Sequence, residues 1–171
     1  NDTAREINLG TGTGGMDLTT AELDQIDAMT QLIIGGPSHA AAINLTSDVD
    51  TGNANTTSTL LQTTVGIDSS NAANEFTEAT LALQGTEIGA TNSFGVDSSA
   101  LTANASAGNL DITNRTTVIA AELDATGTVT FASGAAFTSS GDMSAQSFDL
   151  TTTAGDLTIA HNVTTTGGAG S

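Results

Sequence analysis

The sequence lacks cysteine, lysine, tryptophan and tyrosine, and its 171 residues include one proline and five phenylalanines. Without cysteine the chain has no disulfide, no thiolate metal ligand and no cysteine nucleophile. With two histidines and no lysine or tyrosine, most general acid–base and nucleophile arrangements lack the residues that they need. We therefore expect no enzymatic activity.

Positive charge is also scarce. Arg5 and Arg115 are outnumbered by 19 acidic residues, which gives a formal net charge of −17. Two cations cannot neutralise a phosphate backbone, so we expect no nucleic-acid partner. The same shortage argues against docking on anionic membranes. No apolar run approaches the ~18 residues of a membrane span, so we expect no membrane insertion.

Threonine, alanine and glycine dominate the composition, with 32, 26 and 19 residues. Leucine, isoleucine, valine and phenylalanine make up only about a fifth of the chain, which is little for the core of a compact globule of this length. A stacked β-solenoid tolerates this composition, because it buries a thin core while its backbone groups pair from coil to coil. Scarce proline and abundant threonine favour such ladders.

A repeat of 19 residues lies in the C-terminal third, where the segments 108–113, 127–132 and 146–151 align without gaps. Each segment alternates apolar and polar residues, which predicts a short strand with one buried face. The apolar pairs are Leu110/Ile112, Val129/Phe131 and Phe148/Leu150.

Similar apolar pairs recur upstream at less even spacing, with turn-forming glycine, asparagine, aspartate and serine between them. They are Met16/Leu18, Ile43/Leu45, Val65/Ile67, Leu81/Leu83 and Phe94/Val96, with further short strands at 32–34, 118–119, 137 and 157–159. A circuit of about 19 residues then holds roughly three strands, and the chain has room for at most about nine coils.

We therefore predict an all-β fold, a parallel β-helix (β-solenoid) with irregular loops in the N-terminal half. An antiparallel β-sandwich is the alternative, because it also contains many short strands. Residues 1–171 are predicted to form a single solenoid unit, with 1–15 as a candidate extended N-terminal segment and 167–171 as a glycine-rich tail.

Two segments depart from the strand pattern. Residues 19–29 predict a helical turn with Thr20 as its cap and with Leu23 and Ile26 three apart. Residues 69–82 predict a short helix or a loop outside the coil path. In the helical case, Glu75 and Glu78 would share one face, and such a carboxylate pair is one arrangement for a glycosidase site.

Three short stretches, LTTAELDQI at 18–26, LIIG at 32–35 and AINL at 42–45, resemble repeats of large bacterial surface proteins. These are the filamentous-haemagglutinin-like and autotransporter-type proteins. The resemblance is good over these stretches, and the rest of the chain shares only composition and a glycine–apolar–polar–apolar rhythm. It implies a right-handed parallel β-helix in an exported adhesin, stalk or surface filament.

Four oxygen-bearing residues, Asp48, Asp50, Asn53 and Asn55, lie at near-alternating positions in a glycine-containing loop. Hard oxygen ligands of this kind bind Ca²⁺, so the loop is the candidate metal site, although no cofactor is required. Thr59 stands where the twelfth-position glutamate of an EF-hand would be. A solvated turn uses the same residue types, and that interpretation stays open beside the first.

Three further patterns give weaker indications of a binding site. The glycine-rich segment 10–15 lacks the lysine of a phosphate loop, which favours a turn. His39 and His161 form a metal pair only if the fold brings them together. Thr128 and Thr130 suggest the threonine ladder of an ice-binding solenoid. However, the repeat aligns them with Asn109/Asp111 and with Ser147/Asp149, which interrupts that ladder.

Taken together, these patterns favour a non-enzymatic structural protein that is extracellular or on the cell surface. It would be a β-solenoid segment or subunit of a bacterial surface filament or adhesin. Its partner would be itself, stacked head to tail, or the rest of a longer surface protein. The acidic exterior would keep rods soluble and bind divalent cations loosely. The alternative is a binding module, either an adhesin tip or an ice-binding solenoid face.

Overall fold

The computed structural model describes residues 5–12, 14–26, 30–51 and 57–167. In this part of the chain every strand pairing is parallel. The strands stack as a β-solenoid of about six turns with almost no helix. The predicted parallel solenoid is therefore confirmed, and the antiparallel sandwich is wrong because no described pair of strands runs antiparallel.

The elements are short and follow one another closely. In chain order they are β1 (Ile7–Leu9), β2 (Met16–Leu18), α1 (Thr20–Leu23), β3 (Leu32–Gly35), β4 (Ile43–Leu45), β5 (Val49–Asp50), β6 (Thr59–Gln62), β7 (Gly66–Ser69), β8 (Phe76–Thr77), β9 (Thr80–Gly85), β10 (Glu87–Ile88), β11 (Phe94–Asp97), β12 (Ala100–Ala105), β13 (Leu110–Asn114), β14 (Val118–Ala125), β15 (Thr128–Ser133), β16 (Phe137–Ser139), β17 (Met143–Ala145), β18 (Ser147–Thr152), β19 (Leu157–Thr158) and β20 (Val163–Thr165).

The strands form two parallel sheets that every coil visits in turn. Sheet A contains β1, β2, β4, β5, β7, β8, β10, β11, β13, β15 and β18, and sheet B contains the others. Most coils contribute three strands, as predicted: β4–β6, β7–β9, β10–β12, β15–β17 and β18–β20. In one coil, β13 and β14 are longer and make up the circuit alone, because β13 pairs with both β10 and β11.

The core is built from columns of inward-facing side chains, one from each coil. The longest column in sheet A runs through Ile7, Ile43, Ile67, Ile88, Leu110, Val129 and Phe148. Burying an aliphatic side chain of this size contributes about 1.5–3 kcal/mol relative to leaving it exposed. The alternation of apolar and polar residues thus fixes which face of each strand turns inward.

The circuit length shortens along the chain. Leu45 pairs with Ser69 across a separation of 24 in the sequence. The separation falls to 22 between Gln62 and Gln84, and to 19 between Thr128 and Ser147, as the repeat predicts. Longer connections cause the difference, because residues 51–58 separate β5 from β6 whereas only 134–136 separate β15 from β16. The predicted irregularity of the N-terminal half is confirmed.

A helical turn does form within 19–29, but Thr19 and not Thr20 is its N-cap. The Thr19 hydroxyl accepts a hydrogen bond from the Glu22 backbone N–H, and a Glu22 carboxylate oxygen accepts one from the Thr19 backbone N–H. These two bonds form a capping box. Hydrogen bonds from Thr19 lower the pKa of Glu22. α1 also buries Leu23 completely in the core.

The helix considered for 69–82 does not form. The segment contains the strands β8 and β9, joined by two residues and preceded by the loop 70–75. Phe76 lies in a column between Val49 and Val96 and is fully buried. The need to fill this column explains why the segment pairs as a strand.

The two ends of the solenoid differ. At the N-terminal end, Ile7, Leu9 and Leu23 are buried, although Met16 on the end strand β2 is 44% exposed. At the C-terminal end, no residue from 146 to 167 is buried, although β18–β20 continue the columns of the coils before them. Leu157 and Val163 are 45% and 41% exposed. The last described coil therefore presents apolar side chains and an unpaired strand edge.

Candidate binding groove on sheet B

An open groove of about 540 Å³ crosses four coils on the outer face of sheet B. Its floor includes a row of polar side chains at matching positions of β6, β9, β12 and β14. These are Gln62, Gln84, Asn104 and Asp124. We call this set the polar row. Thr102 and Glu122 also line the groove. They pair with each other on β12 and β14, two residues before Asn104 and Asp124.

Strand alternation places the polar row outside. Each of its members directly follows an inward-facing residue, namely Leu61, Leu83, Ala103 or Leu123, and all four of these are buried. Successive side chains of a strand point to opposite faces, so the next residue faces solvent. Because the coils pair in register, the four outward residues align along the solenoid axis.

Hydrogen bonds order both ends of the polar row. Gln62 Nε2 donates to Gln84 Oε1 over 2.6 Å. At the other end, Asp124 Oδ1 accepts from the backbone N–H and the hydroxyl of Ser144, each over 2.8 Å. The amide pair leaves Gln62 Oε1 as an acceptor and Gln84 Nε2 as a donor toward solvent.

Neither arginine lies on the groove. Arg115 Nε pairs with Glu75 Oε2 over 3.1 Å, and Arg5 Nη2 donates to the Gly15 carbonyl over 2.7 Å. Partial burial raises the pKa of Glu75, and the nearby Arg115 opposes that rise. The lining of the groove consequently carries carboxylates, amides and hydroxyls without a compensating cation.

The predicted metal loop is only partly described, because Asn53 and Asn55 lie outside the described residues. Asp48 Oδ1 accepts a hydrogen bond from the Glu75 backbone N–H over 2.9 Å, and this bond links Asp48 to the neighbouring coil. Asp50 lies in β5 at the edge of sheet A. No group of three or more histidine, aspartate or glutamate side chains that could hold a metal ion occurs among the described residues.

The two histidines are not brought together. His39 follows β3, whereas His161 lies between β19 and β20, and six ladder steps of sheet B separate β3 from β19. At ~4.8 Å per step this is roughly 30 Å. His39 is buried, and its Nε2 has no hydrogen-bond partner among the described residues. His161 is exposed.

Glu78 is a buried acidic residue whose position the sequence did not reveal. Its Oε2 accepts hydrogen bonds from the hydroxyls of Thr51 and Thr59, each over 2.9 Å. Such bonds replace the water that a buried carboxylate loses. Glu75 and Glu78 flank the strand β8, so the shared helical face considered for them does not form.

The polar row was not predicted from the sequence either. Its members recur once per coil, each directly after a small or aliphatic residue. This recurrence is a signal that the sequence contains. The spacing between members is not constant, however, so the row becomes visible only when coils of unequal length are aligned.

No known protein family, curated protein or solved structure matches the chain. In the described part of the chain, no helix is long and apolar enough to span a membrane.

Proposed function

We propose that the chain is a non-enzymatic structural protein of the extracellular space or cell surface. It would be a β-solenoid segment or subunit of a bacterial surface filament or adhesin. The supporting observation is the continuous ladder of parallel strands in both sheets. Backbone hydrogen bonds between successive coils resist both bending and stretching of the solenoid, as a stiff rod requires. The bacterial and surface setting depends on the resemblance of residues 18–45 to surface-protein repeats.

The asymmetry of the two ends bears on how the rod would assemble. α1 packs Leu23 into the core near the N-terminal end, whereas β18–β20 leave Leu157 and Val163 exposed. Unpaired strand edges of this kind accept further strands. We propose that the C-terminal end receives more coils, supplied by a second copy of the chain or by a longer surface protein.

Sedimentation velocity over a range of protein concentrations, with electron microscopy of the same samples, tests this assembly. Leu157→Asp should reduce self-association if a second copy docks on the C-terminal end. Ile119→Asp is the matched control, because Ile119 is 64% exposed on β14, away from that end. A chain that stays monomeric at every concentration would remove the second copy as partner and leave the longer protein.

Calcium binding by the 48–55 loop remains a separate proposal. A thermal melt with added Ca²⁺ and a second melt with a chelator would test it. A bound ion stabilises the folded state by mass action, so the midpoint should rise with Ca²⁺. An unchanged midpoint would exclude a structural site in this loop.

A binding module is the second candidate function, and the groove on sheet B is the observation that favours it. The ice-binding form of this candidate has less support, because the neighbours of Thr130 in sheet A are Asp111 and Asp149. A regular threonine ladder therefore does not extend through these coils.

A further inference from the structure

We propose that the groove on sheet B binds a linear, neutral oligosaccharide along the solenoid axis. This inference rests on the second candidate function, the binding module. It is carried by the polar row Gln62, Gln84, Asn104 and Asp124, which places hydrogen-bonding groups on four successive coils.

The shape of the groove selects an extended ligand. Neighbouring strands of a sheet lie ~4.8 Å apart, so the polar row repeats its polar groups at that interval over three steps. A ligand with its own regular repeat can contact several coils at once, whereas a compact ligand reaches only one or two. The volume of about 540 Å³ is that of a ligand-sized cleft.

The chemistry of the lining selects a ligand rich in hydroxyl groups. The Asn104 amide offers both donors and an acceptor, and the Thr102 hydroxyl can do either. The paired glutamines leave Gln62 Oε1 as an acceptor and Gln84 Nε2 as a donor. A sugar hydroxyl likewise donates and accepts. The hydrogen bond from Gln62 to Gln84 fixes the orientation of both amides, so less conformational entropy is lost on binding.

Charge argues against the other ligand classes. No arginine lies on the lining, and the net charge of −17 repels an anion. A basic peptide fits less well than a neutral sugar, because both carboxylates, Glu122 and Asp124, belong to β14 at one end of the groove. Asp124 already accepts two hydrogen bonds from Ser144, which further reduces its capacity for a cation.

The test is a titration of the ¹⁵N-labelled chain, followed by NMR, with three neutral hexasaccharides: cellohexaose, maltohexaose and chitohexaose. Binding at millimolar concentration should move the side-chain amide resonances of Gln62, Gln84 and Asn104. Replacing two of these amides, as Gln84→Ala with Asn104→Ala, should weaken binding by about tenfold or more, since two hydrogen bonds are lost. Both side chains are exposed, so the variant should fold.

Gln146→Ala provides the matched control, because Gln146 is an exposed amide outside the groove. It should bind as the unsubstituted chain does. Oligoarginine and oligogalacturonate serve as the cationic and anionic probes.

The proposal is overturned if no neutral hexasaccharide binds, if the shifts lie away from the polar row, or if the double variant binds normally. If oligoarginine alone shifts the resonances of the polar row, the proposed sugar ligand is wrong, but the binding-module function stands. The structural proposal is unaffected by either result, because sedimentation tests it independently.

Discussion

The hydroxyl of Thr20 in α1 accepts a hydrogen bond from the backbone N–H of Asp50 in β5 over 3.2 Å. β5 is the last strand in its branch of sheet A, so this N–H points away from its strand neighbour β8. An edge N–H without a strand partner needs another acceptor, and the threonine hydroxyl provides one. α1 thus covers the edge of β5, while Leu23 fills the core beneath the helix.

Shortening the buried side chain of α1, Leu23, should destabilise the fold. Leu23 is fully buried, so Leu23→Ala should lower the free energy of unfolding by about 2–5 kcal/mol through lost burial and a cavity. Ile33→Ala is the control, because Ile33 is 53% exposed on β3 and its loss should change the free energy by about 0.5 kcal/mol or less. Urea unfolding of both variants measures the difference. Equal values would show that α1 is not part of the core.

The aromatic contact between the sheets provides a second test. Phe131 in sheet A and Phe137 in sheet B are fully buried or nearly so, with ring centroids 5.2 Å apart and an interplanar angle of 60°. Phe137→Ala should lower the free energy of unfolding by about 3–5 kcal/mol. Phe148 is only half-buried in the last described coil, so Phe148→Ala should have a clearly smaller effect in the same denaturant series. The reverse order would contradict the placement of the core.

Close backbone approach should make one glycine indispensable. Gly89 has φ +71°, and a Cβ there would collide with the carbonyl oxygen of Asp111. Gly89→Ala should therefore cost at least about 1–3 kcal/mol in unfolding free energy. Gly66 is the matched position, because a Cβ there would meet Glu87 Cγ at an ordinary 3.4 Å. Thermal melts should show a large loss for Gly89→Ala and little for Gly66→Ala.

The environment of Glu75, including its ion pair with Arg115, predicts that folding stability depends on pH. Burial raises the pKa of Glu75 above its ordinary value, and Arg115 holds the rise in check. Because the folded pKa is the higher one, protonation of Glu75 favours folding. That contribution is complete below the unfolded-state pKa and is lost as pH rises through the folded-state pKa. Arg115→Gln should raise the pKa of Glu75 further, which a carboxyl ¹³C titration by NMR would detect.

The control for that titration is Glu22, whose pKa is lowered by hydrogen bonds from Thr19 and does not involve Arg115. Its titration should be the same in both proteins. A Glu75 pKa that stays constant in Arg115→Gln would show that the ion pair at 3.1 Å contributes nothing in solution.

Several parts of the fold could be predicted from the sequence because they depend on local patterns. The pairs Leu110/Ile112 and Val129/Phe131 alternate with polar residues, and their repeat gives both the buried face and the register. The turn at 19–29 was also visible, although adjacent threonines left the cap ambiguous and Thr19 proved to be the N-cap.

What the sequence determined by itself was a series of short strands with one buried face, because alternation, scarce proline and an even repeat in the C-terminal third are local patterns. The structure decided between the predicted parallel solenoid and the antiparallel alternative. Only the tertiary structure decided which distant residues share a surface. Loops of unequal length, such as 70–75 and 89–93, change the spacing from coil to coil, so Gln62, Gln84 and Asn104 align in space without an even period in the chain. The burial of Glu78 and the closure of β5 by α1 likewise depend on contacts between segments that local patterning does not encode.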